Sequence, residues 1–363
     1  MSSKQKVLVV GLGNMGQSHA KAYHHLDGVE IVGLCSRSLN NNTPLPVELS
    51  GYDRFSDYDV ALKQLKPDVV SINTWPDTHE AYALKAFEVG AHVFLEKPIA
   101  DTVAGAERVI EAAQKKGLKL VIGYILRHHP SWQEFVAQAQ KLGKPLVMRM
   151  NLNQQSSGET WQVHKQLMKS ISPIVDCGVH YVDMMCLMTQ AEPVKVHAIG
   201  VRLSDEIDPD MYNYGQLQVT YDDGSMGWYE AGWGPMMSET AFFVKDVIGP
   251  NGCVSIVAED QNKAEDKAME SDDIDAHTKT SALLCHSSKL NDDKSFTHKD
   301  NLIRMDDEPD HDALCQREQE FLLKAIMDDL DLTSHMQDAV NSMKIVLAAD
   351  ESVRSGQVVH LKR

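Results

Sequence analysis

The sequence has no run of apolar residues long enough to cross a lipid bilayer, so no membrane-spanning helix and no membrane partner are expected. Its first residues, MSSKQKV, contain no apolar segment of the kind found in secretory signal peptides. The six cysteines lie far apart, at positions 35, 177, 186, 253, 285 and 315, and none forms a C-x-x-C pair. This spacing predicts reduced thiols in a cytoplasmic protein rather than a disulfide framework.

Positive charge is also scarce, since 35 lysines and arginines stand against 52 aspartates and glutamates and the formal net charge is -17. An acidic surface repels the phosphate backbone of DNA or RNA, so no nucleic-acid partner is expected. The rest of the composition is that of an ordinary globular protein, with 43% hydrophobic residues. A chain of 363 residues has room for two or three domains.

The first third of the chain alternates short apolar runs with helical patterns. Five runs predict buried strands: KVLVV (6–10), EIVGL (30–34), DVVSIN (68–73), HVFLE (92–96) and KLVIGY (119–124). The clearest helix between them, DTVAGAERVIEAAQKKG, offers Asp101 or Thr102 as its N-cap and Gly117 as its C-cap. This alternation predicts an α/β fold, a parallel, doubly wound Rossmann domain over residues 1–126.

The pattern changes after residue 126. Longer strand-like runs follow one another without helices between them, and the turn signals at 222–224 (DDG) and 250–252 (PNG) separate some of them. A second, α+β domain is expected over residues 127–363, with a large, mainly antiparallel open sheet and helices at 314–330 and 336–356. The polar, acidic stretch 259–312 is expected to carry short strands and is otherwise not assigned.

A glycine-rich loop follows the first predicted strand and opens a helix. Gly11, Gly13 and Gly16 have the G-x-G-x-x-G spacing, in the context in which that motif binds a dinucleotide. The first glycine allows the tight turn, the second lets the backbone approach pyrophosphate, and the third lets the helix pack closely. The loop residues Leu12, Asn14 and Met15 are expected to lie against the cofactor together with the glycines. A plain strand-to-helix turn is the alternative.

The end of the second predicted strand bears on the choice between NAD and NADP. An acidic residue there would bind the ribose hydroxyls of NAD, but this chain has CSRS at 35–38. Ser36, Arg37 and Ser38 suit the 2′-phosphate of NADP, with Arg37 giving bidentate contacts. The sequence therefore favours NADP over NAD, although an ordinary exposed arginine would look the same.

Glu96, Lys97 and Pro98 stand in FLEKPIA, at the end of the fourth predicted strand. Ligands of open α/β sheets bind outside the carboxyl ends of the strands, so Lys97 is expected where the nicotinamide would lie. The proline also biases the backbone of Lys97 toward an extended conformation.

With these motifs the sequence resembles the Gfo/Idh/MocA oxidoreductases, which include glucose-fructose oxidoreductase, inositol dehydrogenase and their relatives. The resemblance spans nearly the whole chain: VVGLGNMG, NTWPDTHEAYALKAFEVGAHVFLEKPIADT, GYILRHHPSW, PIVDCGVHYVDMM and SMKIVLAADESVRSGQVV. It departs from the family at Trp75 and Asp77, where relatives often have Pro-Asn before the histidine that matches His79.

The run PIVDCGVHYVDMMCLM predicts a largely apolar helix with a polar stripe, because Asp176, His180 and Asp183 fall at i, i+4 and i+7. A core histidine held by the aspartates and half of a metal site are both alternatives. No third set of metal ligands is evident, so no metal is expected. The resemblance matches Asp176 and His180 to the family's D-x-x-x-H pair and Asp183 to a polar position lining the sugar pocket.

Further site residues follow from the resemblance alone. It implies cofactor contacts by residues at the ends of the predicted strands: Thr74, Trp75, Pro76, His79, Glu96, Lys97 and Arg127. It implies substrate contacts by Lys97 and the D-x-x-x-H residues and by four others: Tyr124, His128, Trp161 and His164. An ion pair with an acidic residue is the alternative for Arg127, and a place in the core is the alternative for Trp161.

The expected activity is hydride transfer between the nicotinamide of NADP or NAD and a carbinol of a sugar, polyol or cyclitol. His180 is the expected acid/base, because histidine titrates near neutral pH, with Lys97 stabilising alkoxide charge and Asp176 orienting the pair. The alternatives are a cofactor-binding sensor of the same fold without catalysis, and an enzyme acting on a nucleotide-sugar or an imine. A homodimer or homotetramer is implied by the family.

Overall fold

The computed structural model describes residues 4–361 except 41, 238–243, 258–277, 279 and 307. The chain forms two compact units. The first combines Met1–His128 with Pro309–Val340, and the second combines His129–Glu308 with Asn341–Arg363. The first unit thus contains the predicted domain of residues 1–126 and adds a stretch from much later in the chain.

The first unit is built from alternating strands and helices. Its strands are β1 (Gln5–Val10), β2 (Val29–Cys35), β3 (Arg54–Phe55), β4 (Val69–Ile72), β5 (His92–Leu95) and β6 (Leu120–Ile122). Its helices are α1 (Asn14–His25), α2 (Tyr58–Leu65), α3 (Pro76–Glu88), α4 (Val103–Lys116) and, after the stretch that belongs to the second unit, α9 (His311–Met327). The first turns of α10 (Thr333–Ser355) also belong here, as far as Val340.

The strands form one parallel sheet in the order β3-β2-β1-β4-β5-β6. The four residues of β4 and Val7–Val10 of β1 are at most 2% exposed, as expected for strands covered by helices on both faces. The strand order reverses between β1 and β4, which opens a crevice at their carboxyl ends. The predicted Rossmann fold is confirmed.

Local sequence signals set the ends of α4. The Thr102 hydroxyl accepts a hydrogen bond from the amide of Gly105 at 3.0 Å, so Thr102 rather than Asp101 is the N-cap. Gly117 ends the helix with a φ of 64°, a left-handed conformation that glycine adopts at little cost. Helix α4 then leads directly into β6.

The second unit is built around a larger sheet. Its strands are β7 (Val147–Gln155), β8 (Pro193–Val201), β9 (Tyr214–Tyr221), β10 (Met226–Gly234), β11 (Lys245–Gly249), β12 (Gly252–Val257), β13 (Ala282–Ser287), β14 (Asn301–Arg304) and β15 (Val359–His360). Its helices are α5 (Pro130–Gln140), α6 (Gly158–Leu167), α7 (Pro173–Asp176), α8 (Gly178–Thr189) and the rest of α10.

The nine strands lie in the order β14-β13-β12-β11-β7-β10-β9-β8-β15. Neighbours in this sheet pair antiparallel apart from β7 and β10, which pair parallel over Val147–Gln155 and Met226–Gly234. The predicted mainly antiparallel sheet is thus confirmed. Strands β13 and β14 lie in the acidic stretch 259–312, of which 259–277 falls outside the described residues. Among the described helices, none has the length and apolarity to span a membrane.

Candidate active site

The three motif glycines have three different surroundings. Gly11 has a φ of +84°, and a Cβ there would lie 2.3 Å from the Asn73 carbonyl oxygen. A Cβ at Gly16 would lie 1.9 Å from the Gly11 carbonyl oxygen, so α1 can pack against the loop only with glycine there. A Cβ at Gly13 would have no heavy atom within 4 Å. The first and third glycines therefore shape the loop, and the second borders open space.

The loop lies at the crevice between β1 and β4. The Gly11 amide donates to the Cys35 carbonyl at 2.8 Å, which ties the loop to the end of β2, and the Asn73 amide donates to the Val10 carbonyl at 2.7 Å. Helix α1 begins at Asn14, with Gly13 as an N-cap that has no side chain to satisfy the first amides. A helix N-terminus of this kind can bind a phosphate through its amides and its partial positive charge.

Alanine substitutions are expected to distinguish Gly16, which packs against backbone, from Gly13, which borders open space. Gly16→Ala should lower the free energy of unfolding by roughly 1–3 kcal/mol or more, because the methyl group overpacks against backbone. Gly13→Ala should leave that free energy nearly unchanged, because the added methyl group meets no heavy atom of the protein within 4 Å. It should weaken dinucleotide binding, because the methyl group would occupy space expected for the pyrophosphate. Urea unfolding and a cofactor titration on both variants check this. Equal destabilisation by the two would contradict the assignment.

The residues predicted to select NADP follow β2 directly. Arg37 and Ser38 are exposed, Ser36 is half-buried, and the hydroxyls of the two serines lie 3.5 Å apart. The Ser36 amide donates to the Phe55 carbonyl at 3.0 Å, which fixes the turn against β3. Arg37 forms no ion pair with any described residue. Its guanidinium is therefore accessible to an anionic ligand beside the glycine loop.

The ends of β4 and β5 carry the next predicted residues. Trp75 is 52% exposed and precedes Pro76, the first residue of α3. His79 is fully buried, and its ring nitrogens lie 2.7 Å from the Pro98 carbonyl oxygen and 2.9 Å from that of Thr74. Burial lowers the pKa of His79. The side chain of His79 thus joins the two loops.

Lys97 stands at the carboxyl end of β5 and is half-buried. Its backbone amide donates to the carboxylate of the preceding Glu96 at 3.1 Å, and the Lys97–Pro98 peptide is cis. The glycine loop, Ser36–Ser38, Thr74–Pro76 and Lys97 therefore follow the carboxyl ends of four strands of one sheet. The structure brings these predicted residues to one edge, where an α/β sheet binds its ligand.

The predicted residues after β6 lie in or next to a 3-10 turn, Ile125–His128. Tyr124 is fully buried, with its ring 6.4 Å from that of His335. Arg127 forms a 2.7 Å ion pair with Asp338, and both side chains are less than a fifth exposed. His128 packs at 5.0 Å against Phe321, and its Nε2 is buried without a hydrogen-bond partner among the described residues.

The buried histidines of this unit predict acid sensitivity. Burial, and then the charge of Arg127, lower the pKa of His128 to about 4. A ring whose pKa is near 6.5 when unfolded takes up a proton more readily in the unfolded chain between these two pH values. Neutral His128 thus makes its full contribution to the free energy of unfolding above a pH of about 6.5. That contribution is lost as the pH falls toward 4.

Urea unfolding at a series of pH values tests this effect. The free energy of unfolding should decrease from pH of about 6.5 to 4, and it should decrease less steeply in His128→Asn. Identical pH slopes in the two proteins would show that His128 does not carry the effect.

The predicted catalytic residues of the second unit lie on two helices rather than on one. Helix α7 ends at Asp176, Cys177 intervenes, and α8 begins at Gly178 with His180 in its first turn. A Cβ at Gly178 would lie 2.8 Å from the ring of Tyr229, so the backbone passes closer to β10 than an ordinary helix would. Asp176 and His180 are half-buried, and Asp183 is fully buried.

Polar and aromatic side chains surround the α7–α8 junction. The Cys177 thiol lies 3.2 Å from Gln154 Oε1, which also accepts a 2.6 Å hydrogen bond from the indole of Trp233. Trp233 in turn stacks on His164, with ring centroids 4.4 Å apart and planes at 10°. The junction is therefore joined through Gln154 to the predicted substrate residue His164.

Trp161 and His164 are placed by α6. Trp161 is 5% exposed, belongs to a core cluster with Met168, Ile207 and Trp233, and donates its indole N–H to Glu206 at 3.2 Å. His164 is 7% exposed, with Nδ1 at 2.9 Å from the Ser156 hydroxyl. Both side chains are thus largely packed.

Sequence reasoning missed several polar residues near these sites. Gln154 and Asn153 lie on β7, and Asn153 donates a 2.6 Å hydrogen bond to Glu230 on β10. The available signal was NLNQQ, the largely polar second half of β7. In the first unit, His19 was missed, although it follows Gly16 by three residues on the same face of α1.

One buried group in the described part of the chain is compact enough to be considered for a metal ion. His19, Cys315 and Glu318 offer ligand atoms within 4.8 Å of one another. Both ring nitrogens of His19 are already in hydrogen bonds, to Glu96 at 2.8 Å and to Gln319 at 2.9 Å. A metal ion would have to break one of them, so the geometry favours a hydrogen-bonded histidine.

Curated proteins resemble this chain over about half of its length. The curated UDP-N-acetylglucosamine 3-dehydrogenase of Acidithiobacillus ferrooxidans is 32% identical over 201 residues, 55% of this chain and 59% of that protein. An inositol 2-dehydrogenase of Paracoccus denitrificans is 28% identical over 190 residues, 50% of this chain and 53% of that protein. The matches therefore span little more than half the length of these relatives.

Solved structures share the fold over nearly the full length. The scyllo-inositol dehydrogenase of Lactobacillus casei, described with bound NAD(H) and scyllo-inositol, aligns over 99% of both chains with a TM-score of 0.74 at 20% identity.

Two domain models of one family match consecutive parts of the sequence. Residues 5–124 match the oxidoreductase family's NAD-binding Rossmann fold, and residues 135–245 match the GFO/IDH/MocA C-terminal domain. Together they cover more than half of the chain, in the order of the two predicted domains. The chain belongs to the Gfo/Idh/MocA family of oxidoreductases.

Proposed function

We propose that this protein is a dehydrogenase that transfers hydride between a carbinol of a sugar, cyclitol or nucleotide-sugar and a nicotinamide cofactor. The observation that carries the proposal is the edge of the first sheet, where the glycine loop, an accessible Arg37 and Lys97 follow neighbouring strands. The substrate class is supported by the relatives, which are named as dehydrogenases of an inositol and of a UDP-linked sugar.

The residues present fit a dinucleotide. The space beside Gly13 and the α1 amides without a side-chain cap suit its pyrophosphate. When bound, the cofactor supplies the hydride acceptor or donor. The protein supplies the proton transfer and the electrostatic stabilisation around it.

Three side chains are assigned roles in the chemistry. His180 takes the hydroxyl proton during oxidation and returns it during reduction, a task that suits a group titrating near neutral pH. Lys97 stabilises negative charge on the substrate oxygen through its ammonium group. Asp176, four residues before His180 in sequence, orients His180 and Lys97 and tunes their proton affinities.

The predicted preference for NADP rests on Arg37. Arg37→Ala should weaken NADPH binding by roughly 10- to 100-fold, because a charge-assisted hydrogen bond contributes about 1.5–3 kcal/mol. NADH, which lacks the 2′-phosphate, should bind nearly as before. Fluorescence titrations with both cofactors measure the two changes, with Lys66→Ala as a control for loss of an exposed cation. Equal weakening of both cofactors would overturn the preference.

The proposed activity is tested by a cofactor-reduction assay over aldoses, polyols, inositols and UDP-sugars, run with NADP and with NAD. Reduction of NADP or NAD by one class of compound would support a dehydrogenase and identify its substrate class. No reduction by any compound, with tight cofactor binding, would favour a sensor over an enzyme.

A further inference from the structure

A line of buried hydrogen bonds in the first unit ends at the backbone of Lys97. The Tyr23 hydroxyl donates to Gln319 Oε1, and Gln319 Nε2 lies 2.9 Å from His19 Nδ1. His19 Nε2 lies 2.8 Å from Glu96 Oε1, and Glu96 Oε2 accepts the Lys97 amide at 3.1 Å. Helix α9 thus contacts α1 through Gln319 and His19, and α1 contacts Glu96, the residue before Lys97.

The donors and acceptors of these hydrogen bonds determine where the protons of His19 and Glu96 lie. An amide nitrogen only donates, so His19 Nδ1 accepts from Gln319 and carries no proton. The proton of a neutral His19 is then on Nε2 and is donated to Glu96. Both carboxylate oxygens of Glu96 act as acceptors, as an ionised carboxylate does. Gln319 thereby fixes the tautomer of His19, and His19 fixes the orientation of Glu96.

The line has little freedom to rearrange. Tyr23, His19 and Gln319 are at most 1% exposed, and Glu96 is 6% exposed. The His19 ring packs on Phe94 with centroids 4.6 Å apart. A Cβ at Gly123 would lie 3.2 Å from the Glu96 carboxyl, so the carboxylate also rests against the end of β6.

Glu318 is a second buried carboxyl group whose pKa is affected by Glu96. It is 1% exposed, and its Oε1 has no hydrogen-bond partner among the described residues. Burial and the charge of Glu96 raise the pKa of Glu318 well above its ordinary value. Because burial and the charge of Glu96 both disfavour ionisation of Glu318, Glu318 holds a proton and Glu96 carries the charge.

We propose that Gln319 on α9 is a positioning residue for Lys97. It acts through the His19 tautomer and the Glu96 carboxylate, which holds the Lys97 backbone amide. The inference rests on the proposed catalytic role of Lys97. It gives Pro309–Val340, the late stretch of chain that belongs to the first unit, a function in catalysis as well as in packing.

Two variants of Gln319 test the proposal against a matched control. Gln319→Leu removes the donor to His19, and Gln319→Glu keeps the shape but replaces that donor with an acceptor. Gln316→Leu makes the same change on the same helix, at a residue that bonds Glu320 near the surface. Thermal unfolding and cofactor titration establish that each variant is folded. If Gln319→Leu does not fold, Gln319→Glu alone carries the test.

The first readout is nitrogen-15 NMR of the histidines, with His19 assigned by its loss in His19→Asn. Wild type should show His19 protonated on Nε2 alone, and Gln319→Glu should show it protonated on both nitrogens. The second readout is kinetic. Turnover should fall roughly 10- to 100-fold in both Gln319 variants with little change in KM, because the reacting group is displaced while binding is kept. Gln316→Leu should match wild type.

The outcomes separate this inference from the proposed function. Full turnover in Lys97→Ala would overturn the proposed role of Lys97 and the inference with it. Loss of turnover in Lys97→Ala, with wild-type kcat and an unchanged His19 signal in both Gln319 variants, would overturn the inference alone.

Discussion

Replacing His180 with asparagine is expected to lower kcat by roughly 10²–10⁴-fold, the usual contribution of a general acid or base. Asparagine keeps a polar side chain at the start of α8 but cannot exchange a proton near neutral pH. Cofactor binding should be unchanged, because the glycine loop and Arg37 belong to the other unit. Stopped-flow measurement of the hydride-transfer step, together with a cofactor titration, checks both halves of this expectation.

The control for His180 is His298→Asn, which makes the same change at an exposed position of the second unit. It should match wild type in turnover and in unfolding. Wild-type turnover in His180→Asn would remove His180 as the acid/base, and the polar stripe on α7 and α8 would then be a structural feature.

Lys97→Ala is expected to lower kcat by about 10²–10³-fold, the cost of removing one group that stabilises developing negative charge. The loss should appear in kcat more than in KM for the cofactor, since the interaction strengthens as charge develops on oxygen. Steady-state kinetics at saturating cofactor measures this effect. Lys97→Arg should recover only part of the activity, because the guanidinium keeps the charge in a different shape.

Lys116→Ala, an exposed lysine in the last turn of α4, is the matched control for Lys97. It removes the same charge from the same unit and should leave turnover unchanged. A Lys97→Ala variant as active as this control would show that Lys97 takes no part in the chemistry.

Much of the first unit was predictable because its signals are local. The glycine spacing, Thr102 and Gly117 each act within a few residues, and the structure gives Gly11, Gly16 and Gly117 the turn, packing and cap conformations expected. The C-terminal ends of parallel strands meet at one edge, so residues directly after the predicted strands were expected together. That rule placed Arg37 and Lys97 correctly at the edge of the sheet.

The rest depended on contacts between distant parts of the chain. Periodicity predicts one helix through Cys177, whereas the structure has two helices there. The close approach of Gly178 to the Tyr229 ring depends on a residue about 50 positions away, which periodicity does not report. The hydrogen bond between His19 and Gln319 joins residues 300 positions apart, and no local pattern announces it. The assignment of Pro309–Val340 to the first unit follows from the same long-range packing.

The proposed function depends on hydride passing directly between a carbinol carbon and the nicotinamide. The most direct test incubates the protein with NADP or NAD and with inositols, aldoses and UDP-sugars deuterated at every carbinol carbon. Mass spectrometry of the recovered cofactor then reports where the deuterium went. Wild type is expected to form reduced cofactor carrying one deuterium roughly 10²–10⁴-fold faster than His180→Asn does. Reduced cofactor without deuterium would exclude direct hydride transfer, and labelled cofactor formed equally fast by His180→Asn would exclude His180 as the acid/base.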